Sequence, residues 1–282
     1  MPQMFNEILR EWVDIPERPK RIASLSPSVT EILVELGLVE ELVGVSHWCH
    51  RYLRGVKKTA FASVDEADYK CLEELKPEII LTTSGIHRDL ALELHSKGYK
   101  VFPIPLANNL FGIISNVLVI GTLVGRQGDA YELAARLSTE FETAKVDVGY
   151  EKRPRVYAEI WPQKFSITFG GLAFTNDLIH AAGGYNVFSE KAQDYFKADL
   201  KEVATLNPQV MILLFDNPSE VQEVDIRSLV DNRGWSDVEA VKRGKIVTAF
   251  QDDLPLTHSG PSFIETLRLV RDKFEDLGFS MK

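Results

Sequence analysis

Leu72-Glu73-Glu74-Leu75-Lys76-Pro77-Glu78-Ile79-Ile80-Leu81-Thr82-Thr83-Ser84 is echoed later in the chain by Val203-Ala204-Thr205-Leu206-Asn207-Pro208-Gln209-Val210-Met211-Ile212-Leu213-Leu214-Phe215-Asp216-Asn217. Each stretch reads as a helix end, a Leu-polar-Pro stop, a short apolar run and a polar loop. Proline ends the helix because it disfavours helical geometry in the residue before it. The apolar runs are too short for buried helices and fit strands covered on both faces. Two such units predict two similar α/β lobes, and a cleft between domains is a preferred ligand site.

The bulk numbers agree and exclude several classes. The chain has 282 residues, which suits two domains better than one. Hydrophobic residues make up 45% and charged residues 26%, an ordinary globular balance. A net charge of −9 gives a nucleic-acid role no electrostatic support. No apolar stretch approaches the roughly 20 residues that span a bilayer. Two cysteines, Cys49 and Cys71, give no disulfide framework. The start, Met1-Pro2-Gln3-Met4-Phe5-Asn6, lacks a basic segment followed by an apolar core, so it does not read as a signal peptide. The expected location is the cytoplasm as written, or outside it if a leader has been removed.

Working outward, residues 5–20 read as an extended entry segment, because Pro16 and Pro19 fix the backbone. A strand over 22–25 leads into a helix over about 29–36, with Ser28 and Glu31 at capping-box spacing and Gly37 as its stop. Strands at 42–46, 78–82 and 100–104 alternate with helices, the pattern of a parallel sheet. The middle is helical, and a helix of about 20 residues over 127–146 is the candidate connector. The second lobe begins after Arg153-Pro154 with a strand over 156–160 and an aromatic, Gly-rich loop from Trp161 to Gly171. A helix over 177–182, an irregular stretch over 185–198, strands at 209–215 and 245–249, and a last helix over 261–276 complete it. The expected domains are 1–125, a connecting helix 126–150, and 151–282.

The densest chemical cluster is Ser46-His47-Trp48-Cys49-His50-Arg51-Tyr52. It follows a strand, so it sits where ligands bind in α/β folds. His47, Cys49 and His50 offer imidazole and thiol donors, with His87 or His258 as a further ligand. Equally, the loop lines a cleft for an organic ligand and no protein–metal bond forms. Ser84 and Gly85, in Thr83-Ser84-Gly85-Ile86-His87, open a helix whose amides suit a ligand's polar groups; the same residues fit an ordinary cap. Trp161 and Phe165 follow the first strand of the second lobe and suit a flat macrocycle. No Gly-x-Gly-x-x-Gly after a strand, phosphate loop, Gly-x-Ser-x-Gly or His-Glu-x-x-His occurs, so no catalytic residue is assigned and no cofactor is required.

The order of motifs resembles a known family. Ile15-Pro16-Glu17-Arg18-Pro19-Lys20-Arg21-Ile22, Ser24-Leu25-Ser26-Pro27-Ser28-Val29-Thr30-Glu31, Leu36-Gly37 and Val43-Gly44-Val45-Ser46 resemble the helical-backbone (class III) substrate-binding proteins of ABC importers. Leu75-Lys76-Pro77-Glu78, Ala181-Ala182-Gly183-Gly184 and Val241-Lys242-Arg243-Gly244-Lys245-Ile246 extend the likeness over about residues 15–275. The branch it looks most like binds cobalamin, with siderophore, haem and metal binders further off. The resemblance implies two Rossmann-like lobes with mostly parallel sheets, one long bridging helix and a ligand between the lobes. It also implies ligand contacts from His47, Trp48 and His50, and from Trp161, Phe165, Tyr195 and Asp252; a bound cobalamin or metal chelate is the expected ligand. Two departures stand out. Transport members carry a permease-docking Glu on each lobe, seven positions before the helix-ending Pro; Lys70 and Lys201 stand there. With the absent leader, this charge reversal weakens an ABC permease as partner. It points to an alternative, a cytoplasmic metal-, haem- or siderophore-binding protein using His47, Cys49 and His50.

Overall fold

The computed structural model describes residues 2–281. The chain divides into two compact units: residues 1–107, 111–139 and 258–261 form the first, and 108–110, 140–257 and 262–282 the second.

The first unit opens with a hairpin, β1 (Gln3–Asn6) and β2 (Glu11–Asp14), rather than a plain extended segment. The Asn6 side chain makes the turn, accepting from the Ile8 and Leu9 amides at 3.1 and 3.0 Å. Its amide donates to the Pro103 carbonyl and ties the hairpin down. Then follow β3 (Ile22–Ser24), α1 (Pro27–Glu35), β4 (Leu42–Ser46), a 3-10 turn (His47–Leu53), β5 (Thr59–Ala62), α2 (Tyr69–Leu75), β6 (Ile79–Thr83), α3 (Arg88–Ser96) and β7 (Val101–Ile104). The sheet runs β5-β4-β3-β6-β7, all parallel. Every residue of β3, β6 and β7 is buried, as strands covered on both faces require.

Two helices, α4 (Leu110–Leu123) and α5 (Gln127–Ala144), follow, and the chain leaves the first unit between Thr139 and Glu140, inside α5. Gly125 breaks them apart at φ +69°, where a Cβ would lie 2.3 Å from the Glu17 carbonyl oxygen.

The second unit contains β8 (Arg155–Ile160), β9 (Ile167–Phe169), α6 (Phe174–Ala181), β10 (Tyr185–Asn186), β11 (Tyr195–Lys197), α7 (Leu200–Leu206), β12 (Val210–Phe215), α8 (Pro218–Glu223), α9 (Ile226–Asn232), α10 (Glu239–Lys242), β13 (Ile246–Phe250) and α11 (Phe263–Asp276). Its sheet runs β11-β9-β8-β12-β13, with β10 alongside β8. The central pairs β8–β12 and β12–β13 are parallel, whereas β9 runs antiparallel to both of its neighbours, β8 and β11. The expected α/β class with mostly parallel sheets is therefore present. The stretch 185–198, read as irregular, carries β10 and β11. The aromatic loop is shorter than expected, because residues 167–169 extend the sheet as β9.

The repeated motif is structurally the same in both units. Helices α2 and α7 are capped by Asp68, accepting from the Cys71 amide, and by Asp199, accepting from the Lys201 and Glu202 amides. Both end on a left-handed residue, Lys76 at φ 43° and Asn207 at φ 47°, just before the proline. The Arg21 guanidinium donates to the Leu75 carbonyl at 2.9 Å, and that of Arg155 to the Asn207 carbonyl at 2.9 Å. The capping box does not form. Helix α1 starts one residue before Ser28, so Ser28 lies inside the first turn, and Glu31 bonds His258 instead.

Candidate functional site

In parallel sheets, side chains that serve a ligand gather at the carboxyl ends of the strands. In the first unit those ends are the His47–Leu53 turn after β4, the Ser84–His87 loop after β6 and Ser26–Ser28 after β3. Trp48 is 62% exposed and Ile86 68% exposed, two large apolar side chains in water. His47 and His50 are exposed too, three residues apart on a 3-10 turn, which places them on one face. The ends of β3 and β6 carry a buried hydroxyl network: Ser26 Oγ is 3.1 Å from both Ser28 Oγ and Thr83 Oγ1, and Thr30 donates to Ser24. Sequence reasoning missed this network, because isolated Ser and Thr near helix starts read as caps.

The metal set expected from His47, Cys49, His50 and His258 does not assemble. The turn that exposes the two histidines buries Cys49, whose Sγ sits 3.2 Å from Ser46 Oγ. Burial pushes that thiol up, against hydrogen bonds from Ser46 and Thr30, away from the thiolate a metal needs. His258 is buried, 2.7 Å from Glu31 through Nε2, and stacks on Tyr52 with ring centroids 4.0 Å apart. The other candidate, His87, faces the Val64 carbonyl at 3.2 Å. Among the described residues no group of three His, Cys, Asp or Glu side chains could hold a metal ion. Ser84 is turned inward as well: its Oγ accepts from the Leu106 amide at 3.0 Å, and Gly85 packs beside the Leu106 side chain.

In the second unit the loop after β8 is built around an aromatic pair. Phe165 is 59% exposed and meets the half-buried Trp161 edge-on, with centroids 5.9 Å apart at 84°. The Trp161 indole donates to Asp216, at the end of β12, and Lys164 bridges Asp216 and Glu220 at 2.9 Å each. These acids hold the Lys164 ammonium above its ordinary pKa, chiefly through the bond to Asp216. Under the loop, Glu159 is fully buried and paired with Arg233, and the Tyr157 hydroxyl donates to it at 2.9 Å. Burial, then the Glu159 charge, pushes that phenol well up. Tyr195 packs edge-on against Phe169 at 5.4 Å, and burial raises its hydroxyl pKa. It serves as a strand residue of β11 more than as a free ring. Asp252 is exposed, just after β13.

These carboxyl-end loops carry polar and aromatic groups but no nucleophile–base pair is described among them. The profile of the periplasmic binding protein family matches residues 22–252. The chain belongs to that family, the helical-backbone substrate-binding proteins of ABC importers. It is 24% identical over 271 residues to an uncharacterized ABC transporter substrate-binding lipoprotein of Bacillus subtilis, covering 94% of this chain and 82% of the relative. It is 23% identical over 206 residues to a cobalamin-binding protein of Halobacterium salinarum, covering 71% of this chain but only 55% of that protein. Among solved structures, a possible iron-binding, periplasmic solute-binding protein from Staphylococcus epidermidis superposes with a TM-score of 0.74 at 25% identity, over 91% of this chain and 99% of that one. No helix among the described residues is long and apolar enough to cross a membrane.

Proposed function

We propose that this protein binds a corrinoid or a similar flat metal chelate and delivers it to an ABC importer. The observation that carries the reading is the pair of exposed aromatic groups at the strand ends, Trp48 after β4 and Phe165 with Trp161 after β8. Large apolar rings in water are unfavourable alone, and they gain by stacking on a macrocycle. The proposed ligand-contacting residues are His47, Trp48 and His50 in the first unit, and Trp161, Phe165 and Asp252 in the second. The metal arrives inside the chelate, since the protein's own donors are dispersed. The cytoplasmic alternative built on His47, Cys49 and His50 loses its support with the buried Cys49. An extracytoplasmic place of work follows from the importer role.

On this proposal Lys70 and Lys201 are the permease-docking positions of their respective units. Each is exposed at the second position of its capped helix, and neither has an ion-pair partner among the described residues. Glu202, the neighbour best placed to restore a negative charge, is occupied by Lys191 at 2.5 Å. The cognate permease therefore presents carboxylates where other members meet arginines.

Calorimetric titration with cyanocobalamin, and separately with hemin, tests the ligand. Binding of one of them is expected, with Trp48→Ala and Phe165→Ala each weakening it by up to about ten-fold, as a lost stacking contact of ~0.5–1.5 kcal/mol implies. No heat from either at ligand concentrations of about 100 μM would remove the flat-chelate reading.

A further inference from the structure

We propose that Arg233 is a positioning residue for ligand binding: clamped on Glu159, it fixes the turn from Trp161 to Ser166 so that Trp161 and Phe165 present their rings. The inference rests on the chelate-binding reading and concerns what keeps the second aromatic wall in place.

Arg233 follows α9 and its side chain is 6% exposed; that of Glu159 is 0% exposed. The guanidinium makes a two-pronged contact, Nη1 to Oε2 at 2.7 Å and Nη2 to Oε1 at 3.1 Å. Its Cζ lies over the Trp235 ring, 4.7 Å from the centroid, and Trp235 is itself held by a bond from Nε1 to the Leu200 carbonyl at 2.8 Å. The base of the clamp is thus rigid. Nη2 reaches further, donating to the Pro162 carbonyl and to Ser166 Oγ at 3.1 Å. One guanidinium joins the buried strand to both sides of the turn.

The turn needs such a hold. Trp161 and Ser166 are not glycines, yet both adopt left-handed backbone, at φ 55° and 54°. Such conformations are strained and persist only where the surroundings enforce them. Inside the turn, the amides of Lys164, Phe165 and Ser166 all converge on one acceptor, the Trp161 carbonyl, at 3.0 Å.

Stability as such does not require an ion pair at a buried strand position. Buried ion pairs can often be replaced by apolar groups of similar volume without loss. Counting from the equivalent arginines, Arg21 and Arg155, the residue four positions on is Glu159 in the second unit and the fully buried Leu25 in the first. The first sheet closes without a charge there. What distinguishes the second is the turn that the guanidinium holds.

The test is a triple variant, Tyr157→Phe/Glu159→Leu/Arg233→Met, which removes the ion pair and its phenol together, so that no charge is left buried without its counter-charge, while the turn loses the donor to Pro162 and Ser166. Amide exchange is read in the ligand-free protein, so this arm is independent of the ligand's identity. Positioning predicts exchange at Lys164, Phe165 and Ser166 at least about ten-fold faster, with β12 amides unchanged. It also predicts about ten-fold weaker binding of whichever probe, cyanocobalamin or hemin, the wild type takes. Turn exchange within about two-fold of wild type, or unchanged probe affinity beside a loosened turn, overturns the proposal. If the triple variant does not fold, Arg233→Lys is read the same way; it keeps the charge on Glu159 but cannot span Pro162 and Ser166. Absence of binding by either probe to wild type would sink the chelate reading and leave the exchange result to judge the turn.

Discussion

The two units share a base and differ at the rim. At the base, Arg21 and Arg155 each bond the carbonyls that end the preceding-proline helix, and Glu78 and Gln209 each return a side-chain bond to the arginine's own amide, at 2.9 and 3.1 Å. At the rim, the first unit carries hydroxyls, Ser26, Ser28 and Thr83, whereas the second carries an ion pair under an aromatic turn. The base is set by chain geometry, which duplication preserves. The rim is set by what each face must meet, so the halves diverge there. Hydroxyls at 3.1 Å from one another are mutually satisfied and need no charge. A strained turn needs a donor with several prongs, and arginine is the side chain that offers them.

The largest expected effect breaks this contrast directly. Arg233→Ala leaves the Glu159 carboxylate buried and unpaired, which costs about 3–5 kcal/mol. Leu25→Met, at the matching position of the first unit, conserves volume and costs less than about 1.5 kcal/mol. Urea unfolding followed by circular dichroism at neutral pH measures both. Equal shifts in midpoint would mean that the second rim is no more dependent on its polar group than the first.

The base was legible in the sequence and the rim only partly. The Leu-polar-Pro stops are local signals, and each lies where expected. Glu159 and Arg233 stand 74 residues apart, so no local pattern joins them. A signal did exist: a glutamate inside the apolar run Val156-Tyr157-Ala158-Glu159-Ile160 demands a cationic partner when the strand is covered on both faces. Helix α8 was equally readable from Asn217-Pro218, a cap followed by a first-turn proline. His47, Cys49 and His50 misled because proximity in sequence says nothing of direction; one turn of 3-10 helix sends the thiol inward and the imidazoles outward.

A smaller effect probes the shared base. Asp68→Ala and Asp199→Ala each remove a helix cap and should cost ~0.5–2 kcal/mol. Asp199 accepts from two amides and Asp68 from one, so the second-unit variant should lose more. Thermal unfolding of the two variants side by side gives the order, and the reverse order would show that the caps are not equivalent parts. Smaller again is the gain from Lys70→Glu or Lys201→Glu. Each replaces a cation near a helix N-terminus by an anion, worth about 0.3–1 kcal/mol at low salt and fading as salt is added. A loss of stability instead would mean these lysines hold something within their own unit.

The smallest effect expected is a pH slope to which each unit contributes one histidine. Burial lowers the pKa of His87 in the first unit, against a bond to the Val64 carbonyl. Burial, then the Arg153 charge, lowers that of His180 in the second, whose Nε2 sits 3.0 Å from Ser189 Oγ. In the unfolded chain both titrate near the ordinary value of about 6.5. Below that pH the unfolded state takes up protons that the folded state refuses, so stability falls as pH falls and is restored above it. The urea midpoint should therefore be lower at about pH 5.5 than at about pH 7.5. His87→Gln and His180→Gln should each flatten the slope, and the double variant should flatten it further. A double variant that retains the full wild-type slope would assign the acid sensitivity to carboxylates and leave the two imidazoles without a thermodynamic role.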